Sequence, residues 1–499
     1  TKQNYLMALS YLLRNVPKQV LIGDLPSLFP LLIHSLSLAD SNLRASTIDT
    51  FYIISFDVPH IISEHISSLI PLLLSLAQMS DINTMIPGNH VTAPLGTNTP
   101  KWQFYLLHGP PLFAKFAMPL LVEKLASDSS NAKKDSMVAL KACAPVYGLS
   151  AIVPHLENLW DYLKDEIINA TNDSFELIAL EAIQSIAETL STDEIENLDH
   201  LQQFLKNVIT ECLENLKNSE LKLAKPCGKI LKYCAMTSDP ACNIIISATL
   251  KNFIIQYRTS DLATRKKGIL EILVEFIAAV RYLYGSIENA PNIKDQNFVM
   301  PLAPYKDDML DVFSSALLGI NEYNELRLCG LRGLHDMILL NNFLSDNEIG
   351  LILQYFNKII LDEQDQDIVS PALEYLGNIA HYKPKIVLDV TLPIFVSKLP
   401  NIGDVINKGS YTNYNKILDS ISKISAEPIL FEALVPEILA KLNNVLSPLS
   451  STNCDYTEAI LQALHTIFLK KLSLSHTDIS RYVNIIIPHL LARCIEPTL

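Results

Sequence analysis

The segment Phe29-Pro30-Leu31-Leu32 places a proline inside a leucine-rich stretch, and the same frame of apolar residue, proline, any residue and apolar residue marks seven such stretches. Proline inside a helix costs about 3 kcal/mol, because it removes a backbone hydrogen bond and clashes with the preceding turn. Seven placements in one frame therefore indicate an architectural role, which we interpret as a kinked first helix in a repeated helical hairpin. The seven prolines are Pro30, Pro71, Pro119, Pro154, Pro393, Pro436 and Pro488.

The spacing of these prolines indicates a repeat. Pro30 and Pro71 are 41 residues apart, Pro119 and Pro154 are 35 residues apart, and Pro393 and Pro436 are 43 residues apart. HEAT and armadillo units have periods of roughly 40 to 47 residues. Apolar residues recur at helical spacing and do not alternate, which favours helices over strands. The sequence therefore predicts an all-α fold, an α-solenoid of HEAT repeats.

The repeats fall into two blocks along the chain. Residues 1–78 form a first HEAT block, residues 79–107 are crowded with Asn, Thr, Gly and Pro and are interpreted as a linker or junction, and residues 108–499 form a second HEAT block. In a solenoid each unit buries its apolar faces only against its neighbours, so 499 residues need no single core. Within the second block we predict helix pairs at 112–147, 152–190, 196–236, 241–283, 303–341, 346–381, 385–425 and 430–470, and a last first helix at 479–494.

Composition excludes several classes of function. The chain has 39 basic and 53 acidic residues and no basic stripe, whereas nucleic-acid binding depends on Lys and Arg at phosphates. We therefore expect no direct contact with nucleic acid. No apolar run is long enough to span a membrane, and none is expected to do so. Eight scattered cysteines without a CxxC pair, and no signal peptide, favour a reducing cytosolic or nuclear compartment.

No motif for catalysis or cofactor binding is present. Cys227, Cys234 and Cys242 are spaced by seven and eight residues, whereas thiolate metal sites use short chelating loops. We interpret them as cysteines of the helical core. A nucleophile elbow, a phosphate-binding loop and a dinucleotide-binding turn are absent from the sequence. The sequence therefore predicts a non-enzymatic protein without a metal or cofactor.

A basic residue opens several of the predicted second helices. Arg44 lies 14 positions after Pro30, and Lys133 lies 14 positions after Pro119. Arg327 has a similar setting, in the segment Asn324-Glu325-Leu326-Arg327. In HEAT units such a residue usually pairs with an acid or a carbonyl of the neighbouring repeat. We favour this structural use over direct contact with a partner.

Two parts of the chain carry family-specific stretches. The first part has NYLMALS at 4–10, VPKQVL at 16–21 and LPSLFPLL at 25–32, and the second has FAKFAMPLLVEKL at 113–125, NAKKDS at 131–136 and CAPVYG at 143–148. Both parts resemble one family, the HEAT scaffolds named for methyl-methanesulfonate sensitivity, also called nucleotide excision repair homologues. The first part is similar to the family's C-terminal repeats, and the second is similar to its middle. The order of the two is therefore permuted, with the junction near residues 79–107. A natural rearrangement, an engineered fusion and a mis-assembled gene sequence would each produce this order.

The resemblance implies a function. The family is a non-enzymatic adaptor of the cytosolic iron–sulfur assembly (CIA) targeting complex, in the cytoplasm and nucleus. It implies that the chain links late assembly factors to apo iron–sulfur proteins of DNA repair, replication and transcription, and that it holds no cofactor itself. Docking of the assembly factors is attributed to the C-terminal repeats, which here are residues 1–78.

Polar residues at the predicted hairpin tips of this block are candidate contacts for protein partners. They are Lys18, Asp40, Asn42, Arg44, Asp57 and His60. The alternative interpretation is another HEAT scaffold, such as a nuclear transport receptor or a phosphatase scaffold. Transport receptors favour an acidic inner face for basic cargo, and a net charge of −14 is compatible with one.

Overall fold

The computed structural model describes most of the chain after residue 113. The described ranges are 25–37, 114–170, 172–191, 197–217, 223–289, 299–319, 324–400, 411–445 and 451–495, together with isolated positions between 4 and 72. These residues form helices, and their strand-like pairing is limited to an isolated β-bridge between Ser286 and Leu340. The predicted all-α fold is confirmed, whereas the predicted junction at 79–107 lies outside the described residues.

The chain forms two compact units, Thr1–Ala248 and Thr249–Leu499. In the described part of the first unit, helix α1 comes first and three helix pairs follow after residue 113. The helices are α1 (Leu25–Leu36), α2 (Ala114–Leu125) paired with α3 (Ser130–Tyr147), α4 (Leu149–Ile152) and α5 (Leu156–Ile168) paired with α6 (Asp173–Leu190), and α7 (Asn197–Lys217) paired with α8 (Ala224–Ala235). Helix α9 (Asp239–Thr259) contains the boundary between the units.

The second unit continues the same alternation of first and second helices. Its helices are α10 (Ala263–Tyr284), α11 (Lys306–Leu318) paired with α12 (Asn324–Leu339), α13 (Asp346–Asp362) paired with α14 (Gln366–Tyr382), α15 (Pro384–Val390) and α16 (Leu392–Ser397) paired with α17 (Tyr411–Ile424), α18 (Pro428–Val445) paired with α19 (Ser451–Ser473), and α20 (Ile479–Ile495). The predicted pairs agree with these bounds to within a few residues at most ends.

Within each unit, the helices stack in two layers. In the first unit the second helix α6 packs against both α3 and α8; in the second unit α10, α12, α14, α17 and α19 pack in succession. The first helices α13, α15 and α18 pack in succession as well. Large side chains such as Phe313, Phe356 and Phe431 are fully buried between the layers. Each pair therefore buries its apolar faces against its neighbours, as expected for a solenoid.

The frame prolines mark first helices, but not always in the same way. Those inside a continuous helix are Pro30, Pro119, Pro436 and Pro488. Pro154 instead lies in a 3₁₀ turn between α4 and α5, and Pro393 lies in the first turn of α16, directly after a break at Thr391. Proline fits a first turn because its missing N–H would have no partner there. At Pro154 and Pro393 the first helix is thus divided into two segments, where a kink was predicted. Pro71 lies outside the described residues.

Helix α13 begins with a capping box. Ser345 precedes α13 and accepts a hydrogen bond from the Glu348 backbone, while the Glu348 carboxylate accepts one from the Ser345 backbone. This reciprocal arrangement satisfies backbone donors that have no partner inside the helix. The Lys306 ammonium, 2.6 Å from Glu348, together with the Ser345 backbone N–H, lowers the pKa of Glu348 to about 2.

We expect Pro119→Ala to change the stability of the first unit little. Alanine gains about 3 kcal/mol of helix propensity over proline, but a straighter α2 should pack less well on its neighbours, so that the two effects largely cancel. The same is expected of Pro30→Ala in α1. Urea unfolding followed by circular dichroism measures both. Pro145→Ala is the control for removing a proline from a helix, because Pro145 is exposed inside the second helix α3 and is not one of the frame prolines. Stabilisation of Pro30→Ala and Pro119→Ala by several kcal/mol would contradict a role in packing and indicate strain.

Candidate functional site

Most of the predicted partner contacts lie outside the described residues. These are Lys18, Asp40, Asn42, Asp57 and His60. Arg44 is described: it lies in a helix and is only 6% exposed. This burial agrees with the structural use of Arg44 that its position in the repeat indicates. The partner contacts of residues 1–78 stay predictions.

The basic residues that open second helices bind neighbouring repeats. Lys133 Nζ of α3 lies 2.5 Å from Glu166 Oε1 of α5, in the next pair. Arg327 of α12 donates from Nη2 to Glu363 Oε2 at 2.7 Å, just beyond α13 in the next pair, and from Nε to the Leu317 carbonyl at 3.3 Å. The prediction that these cations pair with an acid or a carbonyl is confirmed for Lys133 and Arg327.

Further lysines donate to backbone carbonyls of an adjacent pair, and sequence reasoning missed them. The contacts are Lys416 Nζ to Glu363 O at 2.6 Å, Lys441 Nζ to Leu399 O at 3.0 Å, Lys470 Nζ to Lys423 O at 2.5 Å and Lys471 Nζ to Ala426 O at 2.9 Å. A lysine surrounded by apolar residues, as in Ile467–Leu472, is the one sequence signal that could have indicated them. We call these four contacts the lysine–carbonyl contacts.

A groove of about 520 Å³ runs across three successive second helices, α14, α17 and α19. Its apolar lining includes Leu373 and Ile424, which are buried, and Leu474, which is 44% exposed. The polar lining includes Glu374, Asn378, His381, Tyr382, Lys423, Glu427 and Lys470. Because its walls come from three pairs, the groove exists only where the pairs are stacked.

The turn of residues 425–427, at one end of this groove, is held by the pairs before and after it. His381 Nδ1 of α14 lies 2.6 Å from Glu427 Oε1. His476 Nε2, which follows α19, lies 3.9 Å from the same oxygen. Lys471 Nζ donates to the Ala426 carbonyl. Glu427 therefore has basic groups from both neighbouring pairs beside its carboxylate.

Two lysines, Lys423 and Lys470, line the groove beside Glu427. Lys470 is half-buried, and its Nζ donates to the carbonyl of Lys423, an acceptor without net charge. Burial lowers the pKa of Lys470, the nearby Glu427 opposes this effect, and the Lys423 cation adds to it. Lys423 Nζ has Asp419 Oδ2 at 3.0 Å, one helical turn away, with both side chains about half exposed. Such an exposed ion pair contributes little to stability.

The cysteines lie in the helical core, as interpreted from the sequence. Cys227, Cys234 and Cys242 are fully buried, and burial raises the pKa of Cys234 to about 12. Among the described residues, no group of three or more His, Cys, Asp or Glu side chains is placed to hold a metal ion. In the same part of the chain no helix has the length and hydropathy of a membrane span.

Two family sequence models match the chain. The model described as "RNAPII transcription regulator C-terminal" matches residues 1–91 and 417–499. The model described as "Dos2-interacting transcription regulator of RNA-Pol-II" matches residues 106–169. Both are models of MMS19 proteins. The second match contains α2 to α5. The first match contains α1, the C-terminal part of α17, and α18 to α20.

Curated relatives point to the same family. The chain is 25% identical over 394 residues to the MMS19 nucleotide excision repair protein homolog of Xenopus tropicalis, covering 77% of this chain and 37% of that protein. The Homo sapiens homolog is 28% identical over 345 residues, covering 68% of this chain and 32% of that protein. The Schizosaccharomyces pombe DNA repair/transcription protein mms19 is 24% identical over 386 residues, covering 77% of this chain and 37% of that protein. The chain thus spans about a third of the length of these relatives.

Solved structures with similarity include karyopherins. Kap121p bound to the SUMO protease Ulp1p matches with a TM-score of 0.48 and 14% identity, covering 94% of this chain and 47% of that chain. Kap95p with RanGDP matches with a TM-score of 0.45 and 14% identity, covering 98% of this chain and 57% of that chain.

Proposed function

Because the chain belongs to the MMS19 family, we propose that it acts as a non-enzymatic scaffold of the cytosolic iron–sulfur assembly machinery. Its relatives are named as nucleotide excision repair and DNA repair/transcription proteins. In this proposal the chain links late assembly factors to apo iron–sulfur proteins of DNA repair, replication and transcription. It binds proteins, without direct contact with nucleic acid or membrane, and works in the cytoplasm and the nucleus.

The observation that carries the proposal is the match of family sequence models at residues 1–91, 106–169 and 417–499. Stacked helix pairs support it, since a solenoid offers an extended surface on each layer for protein partners. The matches also favour this function over a nuclear transport receptor or a phosphatase scaffold.

We place the docking surface for assembly factors in residues 1–78. The C-terminal family model matches residues 1–91, which supports the placement, and it also matches residues 417–499. A protein interface of standard size needs about 800 Å² from each partner, and two stacked hairpin edges can provide this area. Lys18, Asp40, Asn42, Asp57 and His60 are the contacts that we propose, whereas Arg44 is buried and more suited to internal pairing.

Deletion of residues 1–78 should abolish recovery of the late assembly factors in a pull-down from cell extract. Far-UV circular dichroism of the shortened chain checks that the remaining helices are folded. Lys18→Glu is the finer variant, because a charge at the rim of an interface mainly changes the association rate. Arg44 stays native, since reversal of a buried charge would perturb the fold.

Three results would contradict the proposal. Undiminished binding by the shortened chain would place the docking surface elsewhere. Recovery of a Ran-type GTPase or a phosphatase catalytic subunit, without iron–sulfur assembly proteins, would favour the alternative scaffolds. Stoichiometric iron or zinc in the purified chain, or absorbance near 400 nm, would contradict a scaffold that holds no cofactor.

A further inference from the structure

Helices α19 and α20, with the turn between them, carry a concentration of exposed apolar side chains. Elsewhere in the described part of the chain, the large apolar residues that are exposed lie far apart in the sequence. Between positions 461 and 491 there are seven, namely Leu461, Leu469, Leu472, Leu474, Ile485, Ile487 and Leu491. Single exposed apolar residues are normal in soluble proteins, whereas a group of them marks a surface that contacts another molecule.

Three of these leucines lie on the side of α19 that faces away from α17. The Tyr456 ring of α19 contacts the Tyr414 ring of α17, with the ring centroids 4.8 Å apart. At 3.6 residues per turn, Leu461, Leu469 and Leu472 share one face of α19, opposite the side of Tyr456. A further second helix could therefore stack on this face as α19 stacks on α17.

Helix α20 shows the same arrangement relative to α18. The Tyr482 ring of α20 contacts the Phe431 ring of α18, with the ring centroids 4.8 Å apart. Ile487 and Leu491 are one turn apart, on the side of α20 opposite Tyr482. Helices α19 and α20 pack on each other. We call the three leucines of α19 together with Ile487 and Leu491 the outer face; its members are 37% to 59% exposed.

A segment near the start of the chain has the sequence of a second helix similar to α19. The segment YLMAL at 5–9 and the segment ILQAL at 460–464 share the pattern apolar residue, Leu, any residue, Ala and Leu. In α19 the first and fourth residues of this pattern are buried, on the side of Tyr456. The equivalent residues are Tyr5 and Ala8, which are helical and exposed. The segment therefore presents the side by which a second helix stacks on the preceding one.

Two observations indicate that these surfaces fit each other. One family model, that of the C-terminal region, matches both residues 1–91 and residues 417–499. Second helices of these repeats pack in succession, as α17 and α19 do, so residues 4–14 on the outer face would continue the stack by one helix. Tyr5 is 78% exposed, and the outer face is exposed in the same chain. A contact between the two surfaces therefore joins two copies.

We propose that the outer face of α19 and α20 binds residues 4–14 of a second copy of this chain, so that copies associate head to tail. Tyr5 and Ala8 of one copy then pack on the leucines of α19 in the other. Because this contact joins two different surfaces, each dimer keeps one free surface of each kind, and longer assemblies form as the concentration rises. The proposal goes beyond the scaffold function and does not depend on it.

Analytical ultracentrifugation of the full chain over a range of protein concentrations measures this association. The native chain should form dimers and larger species reversibly. The double variant L469E/L472E should associate at least tenfold more weakly, because a carboxylate buried without a partner is costly. Both leucines are more than half exposed, so this variant should fold, and far-UV circular dichroism checks it. Y5E/A8E, which changes the other surface, should lose association to the same degree.

A matched variant and a mixing experiment make the test specific. L177E/L351E introduces the same charges at exposed leucines of α6 and α13 and should leave association within twofold of the native chain. Y5E/A8E keeps an intact outer face, and L469E/L472E keeps an intact segment at residues 4–14. Each variant should be monomeric alone, and the mixture should form a one-to-one dimer and nothing larger.

Three results would overturn the proposal. The first is a native chain that stays monomeric at every concentration. The second is an equal loss of association in L177E/L351E and L469E/L472E, which would indicate a general effect of charge. The third is a mixture of the two blocked variants that stays monomeric, which would indicate a symmetric dimer. None of these results touches the pull-down of assembly factors, so the scaffold function is tested separately.

Discussion

Replacing Asp478 by alanine should destabilise the second unit by about 3 kcal/mol, because it leaves a buried cation without its counter-ion. Lys471 is 0% exposed, and its Nζ lies 2.8 Å from Asp478 Oδ2. The Ala426 carbonyl and the Phe431 ring, 5.0 Å from the ammonium group, remain as partners in the variant. They are neutral, so we expect a loss at the lower end of the range for broken buried pairs.

Urea unfolding followed by circular dichroism measures the loss, and hydrogen exchange in α18 to α20 locates it, since solenoids often unfold in parts. Asp419→Ala is the matched control. It removes the carboxylate of the exposed Asp419–Lys423 pair, where less than about 1 kcal/mol is expected. The double variant K471M/D478A should recover most of the loss, because methionine fills the site without a charge. A loss below about 1 kcal/mol in Asp478→Ala would show that the Ala426 carbonyl and the Phe431 ring are enough to stabilise the buried Lys471 cation.

The second large effect is expected at Gly330, where the backbones of α11 and α12 approach closely. A Cβ at this position would lie 2.7 Å from the Phe313 carbonyl oxygen and 2.9 Å from the Leu317 nitrogen. Backbone atoms cannot turn away as a side chain can. Overpacking of this kind costs up to about 3 kcal/mol, and the gain in helix propensity offsets about 1 kcal/mol. We therefore expect Gly330→Ala to lose about 2 kcal/mol.

Gly350→Ala in α13 is the control for helix propensity. Its Cβ would meet Val390 Cγ2 at 3.6 Å, an ordinary van der Waals contact. This variant should gain up to about 1 kcal/mol. Opposite shifts of the two urea midpoints are the expected outcome. A stabilised Gly330→Ala chain would mean that α11 and α12 can separate at no cost.

The sequence predicted the helix pairs of the second block because helical periodicity and the proline frame are local signals. It did not predict the break at Thr391 between α15 and α16, just before Pro393, since helix continuity depends on how α15 and α16 pack on α13 and α18. At Gly330 a glycine inside a helix lowers local propensity. Only the approach of α11, which is a tertiary feature, explains the residue.

The groove was also beyond sequence reasoning. Three of its polar residues, His381, Lys423 and Lys470, lie on helices that are about 45 residues apart in the sequence. They belong to one surface only because α14, α17 and α19 stack in register. The pairing of Arg327 and Lys133 with a neighbouring repeat was predicted because a basic residue recurs at the same repeat position. The partner of Lys470 is a backbone carbonyl, and the sequence does not indicate which carbonyl a lysine contacts.

The lysine–carbonyl contacts affect how far these repeats can diverge during evolution. An ion pair such as Arg327–Glu363 constrains two side chains, and a substitution at either position breaks it. A contact from Lys416 to the Glu363 carbonyl constrains only the lysine, since every residue type supplies a carbonyl. Stacking that rests on such contacts survives substitution of the acceptor residue. Relatives at 24–28% identity can therefore keep the same pairing of helices while most surface side chains change.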